Sequence, residues 1–304
     1  MEYLTRHALT AGFQRAGVTP GSTIFVHSAL RTLGPVEGGA QTVAEALQAA
    51  VGPAGTVAAP AFTFVHEIES DPLIDPQNDA SEMGAITEAI RRLPGALRSA
   101  AYRHSVSACG PNAEAITGVD HTLSVFDIRS SFGRLLALDA KVVLLGVTYE
   151  NDTAHHFAEY ILKVPDRELI EHSVRLRGPD GSVRRTVMTD YQPKENPDGE
   201  YYAYPHDFNR IGLELERLGE VRVTPVGNAI CRVFPMRALI HLILDRYSLQ
   251  PELFAEDPTA GRARLPDGVT VFGGTFLDGA NRPDDYIWSV VNPENLYRKP
   301  DAPC

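Results

Sequence analysis

The chain has 304 residues, 43% of them hydrophobic, and a formal net charge of −11. That size supports one large core or two closely packed lobes, and the excess of Asp and Glu argues against a nucleic-acid partner, which selects clustered Lys and Arg. No stretch reaches the roughly 20 apolar residues of a membrane span, and Met1-Glu2-Tyr3-Leu4-Thr5-Arg6 lacks the basic start and apolar core of a secretory signal. A cytoplasmic protein with no membrane partner is therefore expected. Cys109, Cys231 and Cys304 show neither metal-ligand spacing nor a paired framework, so no metal is expected and the first two are read as core thiols.

In chain order, an amphipathic helix from about Tyr3 to Ala16 ends at Gly17, and turn residues lead into the strand Thr23-Ile24-Phe25-Val26-His27. Gly38-Gly39 opens a helix that runs to about Val51, and Gly52-Pro53-Ala54-Gly55 stops it before the strand Thr56 to Pro60. Strand, loop, helix and strand make a βαβ unit. From Phe64 to Ser81 the chain becomes a long acidic loop without apolar periodicity, a length that marks functional or mobile loops. A helix is expected from about Gly84 to Arg92, a strand with flanking loops over Arg98 to Gly110, and short helices over Pro111 to Thr117 and Ser131 to Leu136. Lys141 to Val147 is short, apolar and β-branched, as a strand buried on both faces reads. Ser173 to Arg177 and Val183 to Val187 alternate around Gly178-Pro179-Asp180-Gly181, a hairpin signal. Beyond a loop crowded with Tyr201, Tyr202 and Tyr204, the pattern gives a helix over Asp207 to Leu218, strands over Val221 to Val226 and Ala229 to Phe234, and a helix over Pro235 to Tyr247. The last fifty or so residues are Gly- and Pro-rich, with a short strand around Val269 to Phe272.

The stretch Asn151-Asp152-Thr153-Ala154-His155-His156-Phe157-Ala158-Glu159 follows the Lys141 strand directly. On a helix its spacing puts His156 and Glu159 on one face, just past a strand's C-terminal end, where open α/β sheets bind ligands. A His there is a candidate general base. The same spacing serves a capping group or a surface ion pair, so the pair needs support from elsewhere.

That support comes from a set of short segments: Val26-His27-Ser28-Ala29-Leu30, Gly38-Gly39-Ala40, Val51-Gly52-Pro53-Ala54-Gly55-Thr56, Pro60-Ala61-Phe62-Thr63, Met83-Gly84, Arg98-Ser99, His104 with Ser107, Leu144-Leu145-Gly146-Val147, Asp152-Thr153 with His156 and Glu159, and Val226-Gly227-Asn228-Ala229. In this order and spacing, from about residue 5 to residue 254, the chain resembles the aminoglycoside 3-N-acetyltransferase family of antibiotic N-acetyltransferases, distinct in fold from the Gcn5 type. The resemblance implies a single three-layer α/β domain over 1–254, with a mixed central sheet flanked by helices, and a C-terminal extension over 255–304 packed on it. It implies acyl transfer from acetyl-coenzyme A to a primary amine of an aminoglycoside, in resistance or in antibiotic biosynthesis. Transfer would be direct, with His156 as base and Glu159 orienting it. The family pattern places the coenzyme cradle at Ser28, Ala29, Arg31, Gly38, Gly39, Arg98, Ser99, His104 and Ser107, and the amine side at Phe62, Glu67, Asp75, Asp152, Tyr204 and Asp207.

Two positions depart from the pattern: Ser105 follows His104 where the family usually has Pro, and Ser130-Ser131 stands where Ser-Pro is common. The tyrosines at 201, 202 and 204 replace acidic groups and leave open a biosynthetic amine, or a different acyl thioester donor. A catalytically silent coenzyme A or amine binding protein is the alternative from another class. A metal hydrolase using His155 and His156 is disfavoured because adjacent histidines point to different faces. A homodimer with a second copy of the chain is left open, as is an acyl donor on a carrier protein.

Overall fold

The computed structural model describes residues 3–164, 167–194 and 208–247, and the backbone of two short strands at Val271–Phe272 and Thr275–Phe276. The C-terminal extension beyond residue 254 otherwise lies outside the described residues. In chain order the elements are α1 (Arg6–Arg15), β1 (Thr23–Ser28), α2 (Gly39–Val51), β2 (Thr56–Pro60), β3 (Leu73–Ile74), α3 (Ala85–Arg91), β4 (Leu97–Arg98), β5 (Val106–Cys109), α4 (Ala113–Thr117) and α5 (Ser131–Ala137). They continue with β6 (Lys141–Leu145), α6 (Ala154–Leu162), β7 (Arg167–Arg177), β8 (Val183–Pro193), α7 (Phe208–Arg217), β9 (Arg222–Val226), β10 (Ala229–Pro235) and α8 (Met236–Tyr247).

Seven strands form one mixed sheet in the order β4-β5-β2-β1-β6-β10-β9. The three central strands, β2, β1 and β6, run parallel, and the pairs outside them are antiparallel. Alternation along the central strands divides the core into two layers. Ile24, Val26, Val57, Ala59, Val143 and Leu145 face a layer built from α1, α2 and α3. Phe25, Ala58, Val142 and Leu144 face the other, with Phe126, Phe132, Phe157 and residues of α7 and α8. Both faces are covered, so these strands read as continuous apolar runs; each fully buried large side chain contributes about 2 kcal/mol.

The connection from β1 to β2 passes through α2 on one face, whereas the path from β2 to β6 passes α3 on that face and then α4 and α5 on the other. The chain therefore leaves β1 to both sides, and in open α/β sheets such a switch point is where the ligand crevice lies, here at the C-terminal ends of β1 and β6. The αL turn at Gly38 (φ 70°) and Gly39 (φ 62°) starts α2 at that same edge.

A second sheet, β3-β7-β8, stands apart from the first and has its own small core of Ile74, Tyr102, Val174, Leu176 and Met188. Its β7-β8 hairpin is in register from Arg167↔Pro193 to Arg177↔Val183, longer than the alternating stretch around its turn suggests. The span expected as one strand from Arg98 to Gly110 is two antiparallel strands, β4 and β5, because Tyr102 and its neighbours turn away to pack under this second sheet.

α7 docks on the main body through Gly212, where an added Cβ would lie 2.0 Å from the Tyr149 ring. The Tyr149 hydroxyl donates to Glu216 (2.8 Å), which also accepts from the buried Arg232 on β10 (2.7 Å). This buried network fixes the short turn Tyr149–Asn151 that leads into α6. Cys109 and Cys231 are both buried and unpaired by disulfide, as expected of core thiols. Among the described residues no helix is long and apolar enough to cross a membrane.

Candidate active site

α6 starts just past the switch-point crevice. The Asp152 carboxylate accepts the Ala154 amide at its entry (3.0 Å), and the helical spacing brings His156 Nδ1 to 2.5 Å from Glu159 Oε2. Glu159 is fully buried, and its charge is compensated by Arg167 at the start of β7, whose Nε lies 2.9 Å from Oε2. Tyr191 on β8 donates to the Glu159 carbonyl (3.1 Å) and lies under the Arg167 guanidinium. With Nδ1–H given to Glu159, the lone pair of the neutral ring falls on Nε2. Burial, then the positive charge of Arg167 and the neighbouring imidazoles of His104 and His155, hold His156 well below the usual histidine range. The ring is unprotonated at neutral pH, although 20% of its side-chain surface stays exposed.

Aromatic groups surround that imidazole. Phe208 lies 5.4 Å away on an edge, Phe126 at 6.1 Å and His104 at 6.2 Å, centroid to centroid. His104 is itself packed against Phe62 (4.8 Å) and Phe126 (5.0 Å), and its Nδ1 stands 3.4 Å from Asp190 Oδ1. Burial alone would raise the Asp190 carboxyl, but the hydrogen bond and charge of His104 and the nearby Arg103 hold it at about 2. Arg103 also pairs with Glu67 at 2.8 Å. Glu67 thus sits one guanidinium away from the His104 pair.

Behind α6 lies a second polar cluster. His155 is completely buried, stacked on Phe208 at 4.2 Å, with Nδ1 3.5 Å from Asp152 Oδ2. Asp152 Oδ1 stands 3.6 Å from His27 Nε2. Burial drives His27 down to about 4 despite the raising effect of Asp152. Asp152 is 1% exposed, so the residue expected on the amine side is an interior group tying β1 to α6.

The expected coenzyme cradle is partly gathered at the C-terminal edge of the sheet. Ser28 ends β1, the Ala29 amide donates to the Leu145 carbonyl at the end of β6, and Gly38-Gly39 turns the chain into α2, with Arg31 exposed nearby. Ser107 lies opposite Ala59 near the end of β2. The buried hydroxyls of Ser28, Ser107, Ser130 and Ser131 have no hydrogen-bond partner among the described residues, the condition of groups that wait for a polar ligand. Ser99 departs from this set: its hydroxyl is buried and accepts the Val106 amide. Arg98 departs further. Its guanidinium donates to the Ser105 hydroxyl (3.0 Å), the Asp79 carbonyl (2.6 Å) and the Thr63 hydroxyl (2.8 Å), and burial pulls it down to about 10. It braces the acidic loop instead of presenting itself to a phosphate.

Asp75 also departs from the expected amine side. Its carboxylate caps a turn through the amides of Gln77 and Asn78 and pairs with Arg177 at 2.9 Å. Asp71 and Asp79 are likewise spent, on Arg175, Arg185 and His66. Much of the loop's acidity thus holds the second sheet in place. Tyr204 and Asp207 lie outside the described residues. Sequence reasoning missed Arg167, Asp190 and Tyr191. Alternation extended six residues before the first expected strand of the hairpin and four beyond the second would have included all of them, with Arg167 and Tyr191 on one face and Asp190 on the other.

The family model described as aminoglycoside 3-N-acetyltransferase matches residues 25–248. Aminoglycoside N(3)-acetyltransferase IV from a Salmonella species is 31% identical over 269 residues, which covers 87% of this chain and 96% of that protein. A histidine-to-alanine mutant of aminoglycoside acetyltransferase AAC(3)-IVa, crystallised in complex with a gentamicin, matches with a TM-score of 0.69 at 27% identity, covering 86% of this chain and 95% of that one. A binary complex of AAC-IIIb with CoASH matches with a TM-score of 0.71 at 25% identity, covering 84% and 99%.

Proposed function

The chain belongs to the aminoglycoside 3-N-acetyltransferase family and is an acyltransferase; from that premise we propose that it moves an acetyl group from acetyl-coenzyme A to a primary amine of an aminoglycoside, by direct transfer with His156 as general base. The observation that carries this reading is the relay Arg167–Glu159–His156, buried on one side and open to the switch-point crevice on the other.

The coenzyme fits the residues present. Unpartnered buried hydroxyls at Ser28, Ser107, Ser130 and Ser131, and the amides at the start of α2, are the donors that a pantetheine arm and a pyrophosphate recruit. Bound there, acetyl-coenzyme A would supply an activated thioester carbonyl, so no covalent enzyme intermediate is needed. His156 Nε2 removes a proton from the attacking nitrogen and returns it to the departing sulfur. Glu159 keeps the ring oriented and balances the imidazolium while the Arg167 guanidinium lies against the Glu159 carboxylate. Phe126 and Phe208 exclude water around the ring, which strengthens both interactions. On the acceptor side Glu67 and the overall charge of −11 attract an oligocation; relatives in the family bind a gentamicin and apramycin.

Thiol release from acetyl-coenzyme A with gentamicin, apramycin and sisomicin tests the proposal. We expect turnover that falls at least about a hundredfold in His156→Ala. No release with any of the three, or an active His156→Ala, would overturn it.

A further inference from the structure

Acetylating an ammonium group removes two protons from one nitrogen. R–NH3+ and CH3CO–SCoA become R–NH–COCH3, CoA–SH and one H+. The first proton must leave before attack, because the protonated nitrogen has no lone pair. The second leaves as the C–N bond forms and the C–S bond breaks, and it ends on sulfur. A single imidazole is asked to accept twice within one turnover.

The crevice holds a second imidazole–carboxylate pair. His104 comes from the connection between β4 and β5 and Asp190 from β8, whereas His156 and Glu159 ride on α6, yet the two rings are 6.2 Å apart. Two acceptors hydrogen-bonded at about 2.8 Å to one tetrahedral nitrogen stand about 4.6 Å from each other, which places the ring centres roughly 6 to 7 Å apart. Phe126 touches both rings and floors the gap between them. Each ring has a buried carboxylate at Nδ1 and an arginine beside that carboxylate, Arg103 for Asp190 and Arg167 for Glu159.

We propose that His104, backed by Asp190, takes the first proton from the acceptor ammonium, and that His156, backed by Glu159, takes the second and delivers it to sulfur. This rests on the reading of His156 given above and extends it; His104 becomes a catalytic residue on the amine side, and Asp190 its positioning residue. The first proton passes from His104 to solvent, to which 10% of its side chain is exposed. The charged and titratable groups facing His104 are Asp190 and Arg167 from the hairpin, Arg103 from the preceding residue with Glu67 behind it, and His156 from α6; His172 lies beyond Asp190. Burial lowers the His104 ring, opposed by Asp190, so it starts the cycle neutral and able to accept.

The test is kcat/KM against pH for gentamicin, or for whichever amine the wild type turns over in the assay above, in the wild type, His104→Gln and Asp190→Asn, with KM for acetyl-coenzyme A measured in each. His104→Gln is expected to lose about a hundredfold near pH 6 and to recover to within about threefold near pH 9, where the amine arrives unprotonated. Asp190→Asn should show the same limb with a smaller loss, and KM for acetyl-coenzyme A should stay within about twofold. A loss equal at every pH, or a raised KM for acetyl-coenzyme A with the pH profile unchanged, overturns the proposal. If His104→Gln is unfolded by circular dichroism, Asp190→Asn carries the same comparison. An active His156→Ala would strike at the underlying reading, whereas a flat His104→Gln profile leaves that reading standing.

Discussion

His155 and His156 are adjacent on one helix, both beside a buried carboxylate, and their surroundings are opposite. One residue's rotation of about 100° takes His155 inward onto Phe208 and Asp152, with no side-chain surface exposed, and leaves His156 at the crevice with 20% exposed. Their carboxylates differ too. Glu159 has Arg167 to balance its charge, whereas Asp152 is shared between the two imidazoles of His155 and His27. A carboxylate paired with a guanidinium can steady a proton arriving on its histidine; a carboxylate divided between two interior rings serves to pin a strand to a helix. The type of residue is the same in both clusters, and what separates chemistry from architecture is the cation and the access to the crevice.

Four experiments set the clusters against each other. The largest contrast is in activity. His156→Ala should cost at least about a hundredfold in kcat, about 2.7 kcal/mol of barrier, with a urea midpoint close to that of the wild type. Acid should act mainly through the interior cluster. His27 sits at about 4 in the folded protein against 6.5 when unfolded, so the unfolded chain binds more protons between those values. The stability this burial provides is whole above about pH 6.5, falls as pH drops through that window, and is lost by about pH 4, an expected change of about 3 kcal/mol in denaturation measured across the range. His27→Gln should flatten that slope, and an unchanged slope would refute the assignment. Next, His155→Ala opens a cavity against Phe208 and strands Asp152. A stability loss of about 2 kcal/mol is expected by urea unfolding, with less than a tenfold change in kcat where the protein remains folded. The smallest effect is at the joint between helix and hairpin, where Tyr191→Phe removes one donor to the Glu159 carbonyl. About 1 kcal/mol of stability and less than about fivefold in kcat should go.

The parallel centre of the sheet was readable in advance because β1 and β6 are short apolar runs bounded by turn residues, and burial on both faces leaves such runs little choice. The His156–Glu159 contact was readable because a helix makes it from local spacing. The rest of the site depends on where distant segments fold. Nothing near Arg167, Asp190 or Tyr191 in the sequence shows that the ends of a hairpin will reach α6 and His104. Arg98 and Asp75 mislead for the converse reason: an arginine beside a serine and an acid in a loop look available until the fold supplies a carbonyl, a hydroxyl or a guanidinium to occupy them. Asp152 has the same history, an acid next to the base in sequence and behind it in space.

The two sheets share no strand, yet each contributes to the crevice. The base and its carboxylate ride on a helix of the large sheet, whereas Arg167, Asp190 and Tyr191 arrive on the hairpin of the small one. The two walls are therefore tied together. A hairpin exchanged between relatives would carry with it the arginine beside Glu159 and the carboxylate beside His104, so it has to arrive with Arg167, Asp190 and Tyr191 in register. The turn at residues 178–182 lies at the other end of the hairpin and is under no such constraint.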